Sequence, residues 1–212
     1  MNRFFNMIPG EDACCILLYG DIGEYSDVTA AAIVRELMEA EASGKRIDVR
    51  INSNGGDVYT GIAIFNALRG SKADIHIYVD GIAASMASVI ALCGKPVEMS
   101  KYARLMLHSV SGGCYGNKTE LRRCLEEVEA LENTLCEMYA PKLGTSVEEI
   151  RARYFDDTDH WLKADEALAL GFIDGVYDAD PVPEDSTPEQ VYRIFNNRLE
   201  QPLNDTQMNL EE

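Results

Sequence analysis

Apolar and polar positions change rhythm repeatedly along this chain, between a period of two and a period near 3.6. Ala13-Cys-Cys-Ile-Leu-Leu-Tyr19 is a short apolar run stopped by Gly20, and it predicts a first strand. Residues 28–43 place apolar side chains at 33, 34, 37, 38 and 40, the spacing of one helical face, with Gly44 following as a C-cap. Ile47-Asp-Val-Arg-Ile51 alternates apolar and polar, which predicts a second strand. A helix is expected over 61–70, an alternating strand over 73–79 and a small-residue helix over 84–91. Short strands follow over 96–99 and 103–107. Leu121, Leu125, Val128, Leu131, Leu135 and Met138 recur every three or four residues and predict a long helix over 119–143. Helices over 147–154 and 163–170 and a last strand over 172–177 complete the pattern. Strands alternating with helices argue an α/β fold with a largely parallel sheet. No internal repeat is visible.

Length and charge narrow the picture. At 212 residues the chain fits one domain with a full core. Its net charge of −17 makes nucleic acid and anionic membrane surfaces poor partners. No apolar run approaches a membrane span, and Met1–Met7 carries one positive charge without the long apolar stretch of a secretory signal. The six cysteines (14, 15, 93, 114, 124 and 136) contain no C-x-x-C pair, and five sit in apolar or helical contexts. A reduced, cytoplasmic protein without disulfides is expected, with no metal or cofactor. Composition shifts at Asp178: from there to Glu212 the stretch holds nine acidic residues, two arginines and four prolines. The chain is therefore divided into a domain over 1–178 and an acidic tail over 179–212. Within the tail, Thr187-Pro-Glu-Gln190 reads as a capping box, and Val191, Ile194, Phe195 and Leu199 share one helical face. That helix either docks on its own domain or meets a neighbouring subunit or partner.

Three places carry candidate chemistry, and each follows an apolar run. Asn52-Ser-Asn-Gly-Gly56 could turn backbone N–H groups onto an anion, or be a turn and nothing more. Ser85, within Gly81-Ile-Ala-Ala-Ser-Met-Ala-Ser88, is a candidate nucleophile or a small packing residue. His108, after Leu105-Met-Leu, is a candidate base or a hydrogen-bonded core histidine. Strand ends of one parallel sheet open toward a common edge, where such folds bind ligands, and this favours the functional reading of all three.

These blocks resemble the signature blocks of the Clp protease proteolytic subunit family, over roughly residues 13–178. Asp159-His-Trp-Leu-Lys-Ala-Asp-Glu-Ala167 and Leu170-Gly-Phe-Ile-Asp174 are similar to its fourth block. The resemblance implies a ClpP/crotonase-like spiral ββα fold with a protruding handle helix, here the one from Thr119. It implies a serine endopeptidase with Ser85 as nucleophile, His108 as base and Asp159 as acid, Asp157 being the alternative. It implies an oxyanion hole from the N–H groups of Gly56 and Met86. A substrate-pairing strand is implied at Ser111-Gly-Gly-Cys-Tyr-Gly116, through Gly112, Gly113 and Tyr115. The implied partners are peptide or protein substrates and further copies of the chain, in heptameric rings joined through the handles.

Departures from that family matter. Its outward tyrosines, which help to dock an ATP-driven unfoldase, are matched by Asp48 and Arg50, and its proline before the glycines by Asn54. An unfoldase partner is therefore doubtful. Together with Arg3-Phe-Phe and Asn54-Gly-Gly-Asp57, these features resemble the Clp-related head maturation (prohead) proteases of tailed phages, which cut capsid and scaffold proteins. The housekeeping ATP-dependent subunit stays open, as do a crotonase-like enzyme and an inactive assembly protein.

Overall fold

The computed structural model describes residues 7–9, 13–177 and 187. The chain divides into two compact units, Met1–Val176 and Tyr177–Glu212. The amphipathic helix expected from Thr187 onward lies outside the described residues.

The first unit is the expected α/β sheet. Its elements run β1 (Met7–Pro9), β2 (Ala13–Tyr19), α1 (Ala30–Ser43), β3 (Arg46–Ser53), α2 (Val58–Gly70), β4 (Ile75–Ala84) and α3 (Met86–Ala91). Then come β5 (Val97–Ser100), β6 (Arg104–Leu107), α4 (Lys118–Leu143), α5 (Val147–Tyr154), β7 (His160–Lys163), α6 (Ala164–Ala169) and β8 (Gly175–Tyr177). The sheet order is β1-β2-β3-β4-β5-β8, with β6 pairing β4 and β7 pairing β6. The pairs β2–β3, β3–β4, β4–β5 and β4–β6 are parallel, while β1–β2 and β6–β7 are antiparallel.

Local chemistry sets the element ends. Thr29 caps α1 by accepting from the Ala32 N–H, and Gly44 closes it in the left-handed conformation. Asp57 caps α2, which therefore starts at Val58, earlier than the apolar spacing suggests. Asn117 and Glu120 form a capping box at the start of α4.

Several expectations change. β4 continues to Ala84, past the end expected at 79, because Ile82, Ala83 and Ala84 pair with Arg104, Leu105 and Met106 of β6. A short apolar run supplies no signal that the strand changes partner from β5 to β6. β7 was not expected, and its half-buried, half-exposed pattern explains why. At Ser111–Gly116, where a substrate-pairing strand is implied, no strand is formed and no strand among the described residues pairs with the segment. Gly112, Gly113 and Tyr115 are all exposed.

The strand β3 departs most in its physics. Ile47, Val49 and Ile51 are fully buried, as alternation requires. The charged positions between them, matched to outward tyrosines, are buried too: Asp48 is 0% exposed and Arg50 6%. The Arg46 Nε donates to Asp48 at 2.9 Å. The Arg50 guanidinium grips the Asp80 carboxylate on β4 with two donors, and the Tyr19 hydroxyl donates to the same carboxylate at 2.5 Å. Arg50 also lies over the Tyr78 ring, 5.6 Å from its centre. These residues form a polar lattice on this face of the sheet, buried at Asp48 and Arg50 and open to solvent at Tyr19.

Among the described residues no helix is long and apolar enough to cross a membrane. α4 buries only Leu135, Cys136 and Tyr139, all in its C-terminal half, while Leu121 and Leu125 are 48% and 58% exposed.

Removing one partner of a buried pair strands the other charge. Asp80→Ala is therefore expected to lower unfolding free energy by about 3 kcal/mol, read as a shift in urea midpoint. An unchanged midpoint would show that the lattice contributes nothing to stability.

Candidate active site at the sheet edge

Ser85 sits between β4 and α3, where the chain reverses. Its backbone is held at φ 53° and ψ −126°, a region that non-glycine residues avoid. Two sets of bonds hold it there. Its N–H donates to the Met106 carbonyl at 2.9 Å, and its carbonyl accepts from the Ser88 N–H at 3.0 Å and the Ser88 hydroxyl at 2.6 Å. The Ser88 hydroxyl also shares a 2.7 Å hydrogen bond with Tyr139, a buried residue of α4.

His108 follows the last residue of β6. Its Nε2 lies 2.7 Å from the Ser85 Oγ. Its Nδ1 lies 3.7 Å from an Asp159 carboxylate oxygen, an ion-pair distance but longer than a hydrogen bond. Strand register explains the approach. Leu107 pairs with His160 across the antiparallel β6–β7 ladder, so the preceding Asp159 arrives opposite His108. Asp157 takes a different role. Its φ is 65°, and its N–H donates to the Ser109 hydroxyl at 3.0 Å. Asp156 accepts from His160 Nε2 at 2.7 Å and from the Thr158 hydroxyl at 2.7 Å. These bonds, the one from His160 foremost, bring the Asp156 carboxyl down to about 2.

Gly55 and Gly56 have φ of 96° and 146°. The loop is pinned on Ile22, whose N–H donates to the Gly55 carbonyl at 2.9 Å and whose carbonyl accepts from Asp57 at 2.8 Å. A Cβ on Gly55 would fall 2.7 Å from the Ala84 carbonyl oxygen, and one on Gly56 2.0 Å from that of Ile22. Only glycine lets this loop pass so close to Ser85. Gly56, Ser85, Met86 and His108 line one hollow of ≈ 50 Å³, closed below by Val89, Leu135 and Tyr139. That volume holds a few waters or a single polarised oxygen rather than a side chain. A larger cavity of ≈ 570 Å³, between Phe65, Lys95, Met138 and Asp174, contains none of these residues.

Ser85, His108, Asp159, Gly56 and Met86 are thus brought together, whereas Gly112, Gly113 and Tyr115 lie outside the hollow. Residues 12–180 match the family described as Clp protease. The chain belongs to the Clp protease family. It is 32% identical over 157 residues to the ATP-dependent Clp protease proteolytic subunit of Bacteroides fragilis, covering 72% of this chain and 75% of the relative. It is 35% identical over 158 residues to subunit 1 of the same protease from Prochlorococcus marinus subsp. pastoris, covering 73% of this chain and 80% of the relative.

Two supports of this Clp-family site were not expected from sequence. Ser109, next to His108, holds the loop that presents Asp159. Tyr139, 51 residues from its partner Ser88, backs the Ser85 carbonyl. A serine after a strand carries no distinguishing signal, and a tyrosine on an apolar helical stripe reads as core. No cluster of His, Cys, Asp and Glu among the described residues has the geometry of a metal site.

Gly56→Ala tests the loop. The added methyl must push the turn off Ile22, so labelling of Ser85 by a fluorophosphonate should slow by roughly a hundredfold while circular dichroism stays unchanged. Labelling at the wild-type rate would show that the turn does not shape the site.

Proposed function

We propose that this Clp-family chain is a serine endopeptidase working through Ser85, His108 and Asp159. The observation that carries the reading is the 2.7 Å contact between His108 Nε2 and the Ser85 hydroxyl. At that distance the imidazole can take the hydroxyl proton as Ser85 attacks a peptide carbonyl, then return it to the leaving amine. Asp159 holds the Nδ1–H tautomer and balances the imidazolium; its 3.7 Å separation closes to a hydrogen bond when substrate arrives. The N–H groups of Gly56 and Met86 bind the oxyanion in the small hollow. The backbone of Gly112, Gly113 and Tyr115 receives the extended peptide as a strand. No cofactor takes part.

Substitution separates the roles. Ser85→Ala abolishes hydrolysis of a fluorogenic peptide and of casein, with fold and assembly intact. Asp159→Asn lowers turnover by roughly 10³–10⁴-fold through the wrong tautomer, and Asp157→Asn is mild. Retained turnover in Ser85→Ala would falsify the assignment, and reversed aspartate effects would move the acid to Asp157.

Assembly follows from α4. Leu121 and Leu125 leave an apolar stripe uncovered on the half of the helix that leaves the core. Copies of the chain cover it, as heptameric rings stacked through these helices, with the sites facing an enclosed cytoplasmic chamber. Light scattering at micromolar concentration is expected to give a multiple of seven chains. A Leu121→Glu, Leu125→Glu variant should fall to single rings or smaller species; a wild-type monomer overturns the proposal.

The branch is the head maturation type, acting on capsid or scaffold proteins without an unfoldase. Support comes from Asp48 and Arg50, whose buried ion pairs occupy the positions matched to docking tyrosines. A second reading, the housekeeping subunit, is favoured by relatives whose names are ATP-dependent Clp subunits. Folded-substrate degradation that appears only with a Clp unfoldase and ATP selects the second. Cleavage of capsid or scaffold protein without either selects the first, and adjoining portal and capsid genes would agree with it.

A further inference from the structure

Residues 112–116 lie along the first turns of α4, in register with it. A Cβ on Gly116 would meet the Glu120 carboxylate at 2.5 Å, and one on Gly112 would lie 3.6 Å from Val128 Cγ2. Between them, midway along both runs, Cys114 falls opposite Cys124, the residue four on from Glu120 and four before Val128. Steps of two residues on the segment thus answer steps of four on the helix. The spacings agree, because two extended residues span about 6.6 Å and four helical ones about 6 Å. Both ends of the segment are already tied to α4. The Val110 N–H donates to Glu132 at 3.1 Å, and the Asn117 N–H to Glu120 at 2.7 Å. Cys114 is exposed and Cys124 half-buried, while Cys14, Cys15, Cys93 and Cys136 are buried in the core. Burial pushes the Cys15 thiol up to about 12 and those of Cys93 and Cys136 to about 11, and encloses them; the Cys114 thiol is raised too, by the neighbouring Cys124 thiol, but it stays open to a solution oxidant.

We propose that Cys114 and Cys124 are a dithiol switch. Oxidation to a disulfide clamps the glycine-rich segment onto α4 and closes the peptidase site. The inference rests on the peptidase reading and on the segment as the receiver of substrate. The oxidant is a small-molecule disulfide such as oxidised glutathione. The exposed Cys114 thiolate attacks one of its sulfurs and releases one small thiol, leaving a mixed disulfide. The Cys124 thiolate then attacks the Cys114 sulfur and releases the second. The two cysteines lose two electrons, and their two protons end on the two small thiols. In the clamped form the segment cannot lift away from the helix to pair with an extended peptide. An external dithiol reverses the step.

The test uses the full-length chain in its native assembly, reduced with dithiothreitol or incubated with oxidised glutathione. Oxidation should lower the mass by about 2 Da. Trypsin cuts after Lys118, Arg122 and Arg123, so the new bond links two peptides that are otherwise separate. Turnover of a fluorogenic peptide should fall about tenfold or more and return with dithiothreitol. Cys124→Ser should keep the reduced rate and ignore the oxidant. Absence of the linked peptide overturns the switch, and so does a fully linked enzyme with undiminished turnover. A chain that cleaves no peptide even when reduced refutes the peptidase reading instead. Amide exchange over 111–116 then decides the clamp: slower exchange on oxidation supports it, and unchanged exchange overturns it.

Discussion

The parallel pairing of β3, β4 and β6 is the constraint on which the site depends. Parallel strands run the same way, so their chain-forward ends reach one edge together. Ser53 pairs with Ala83, and Ala84 with Met106. Each ladder ends one to three residues short of a group that matters: the glycine turn, Ser85 and His108. The backbone bond from Ser85 to the Met106 carbonyl extends the β4–β6 ladder into the site itself. Asp159 arrives by the opposite rule, carried in on the antiparallel β7. A one-residue slip in that last pairing would turn Asp159 away from His108 and bring in a neighbour.

Much of this was legible in the sequence because it depends on local pattern. The alternation at 47–51, the period over 119–143 and the glycines at 44, 55 and 56 each announce their structure. Ser85, His108 and Asp159 also came from the sequence, the last through family resemblance rather than spacing. What was not legible depends on contacts between distant residues. The continuation of β4 is decided by β6, which lies some 20 residues on. The role of Ser109 is decided by a loop that folds back from residue 157. The glycine-rich segment at 111–116 lies outside the sheet, and the partner expected for it is a peptide rather than a strand of this chain.

The charged positions of β3 alternate with aliphatics as the sequence shows, yet they are buried. In a parallel sheet both faces are covered, so polar residues between buried aliphatics must find partners or be absent. Asp48, Arg50 and Asp80 found partners in Arg46, in each other and in Tyr19. The same sheet therefore has an oily face that drives folding and a salted face that fixes registry between β3 and β4. A bidentate arginine tolerates little sliding, which suits a sheet whose register positions the site.

The backbone of Ser85 carries a last consequence. Its positive φ stores strain of order 1–3 kcal/mol, which neighbouring bonds must over-determine. Glycine adopts that geometry without strain. Exchange of Ser85 for glycine would therefore relax the turn while removing the hydroxyl that meets His108. The sheet and its edge would be untouched. Backbone stability and the proposed chemistry thus pull in opposite directions at this one residue: the hydroxyl that meets His108 is carried on a turn that favours glycine.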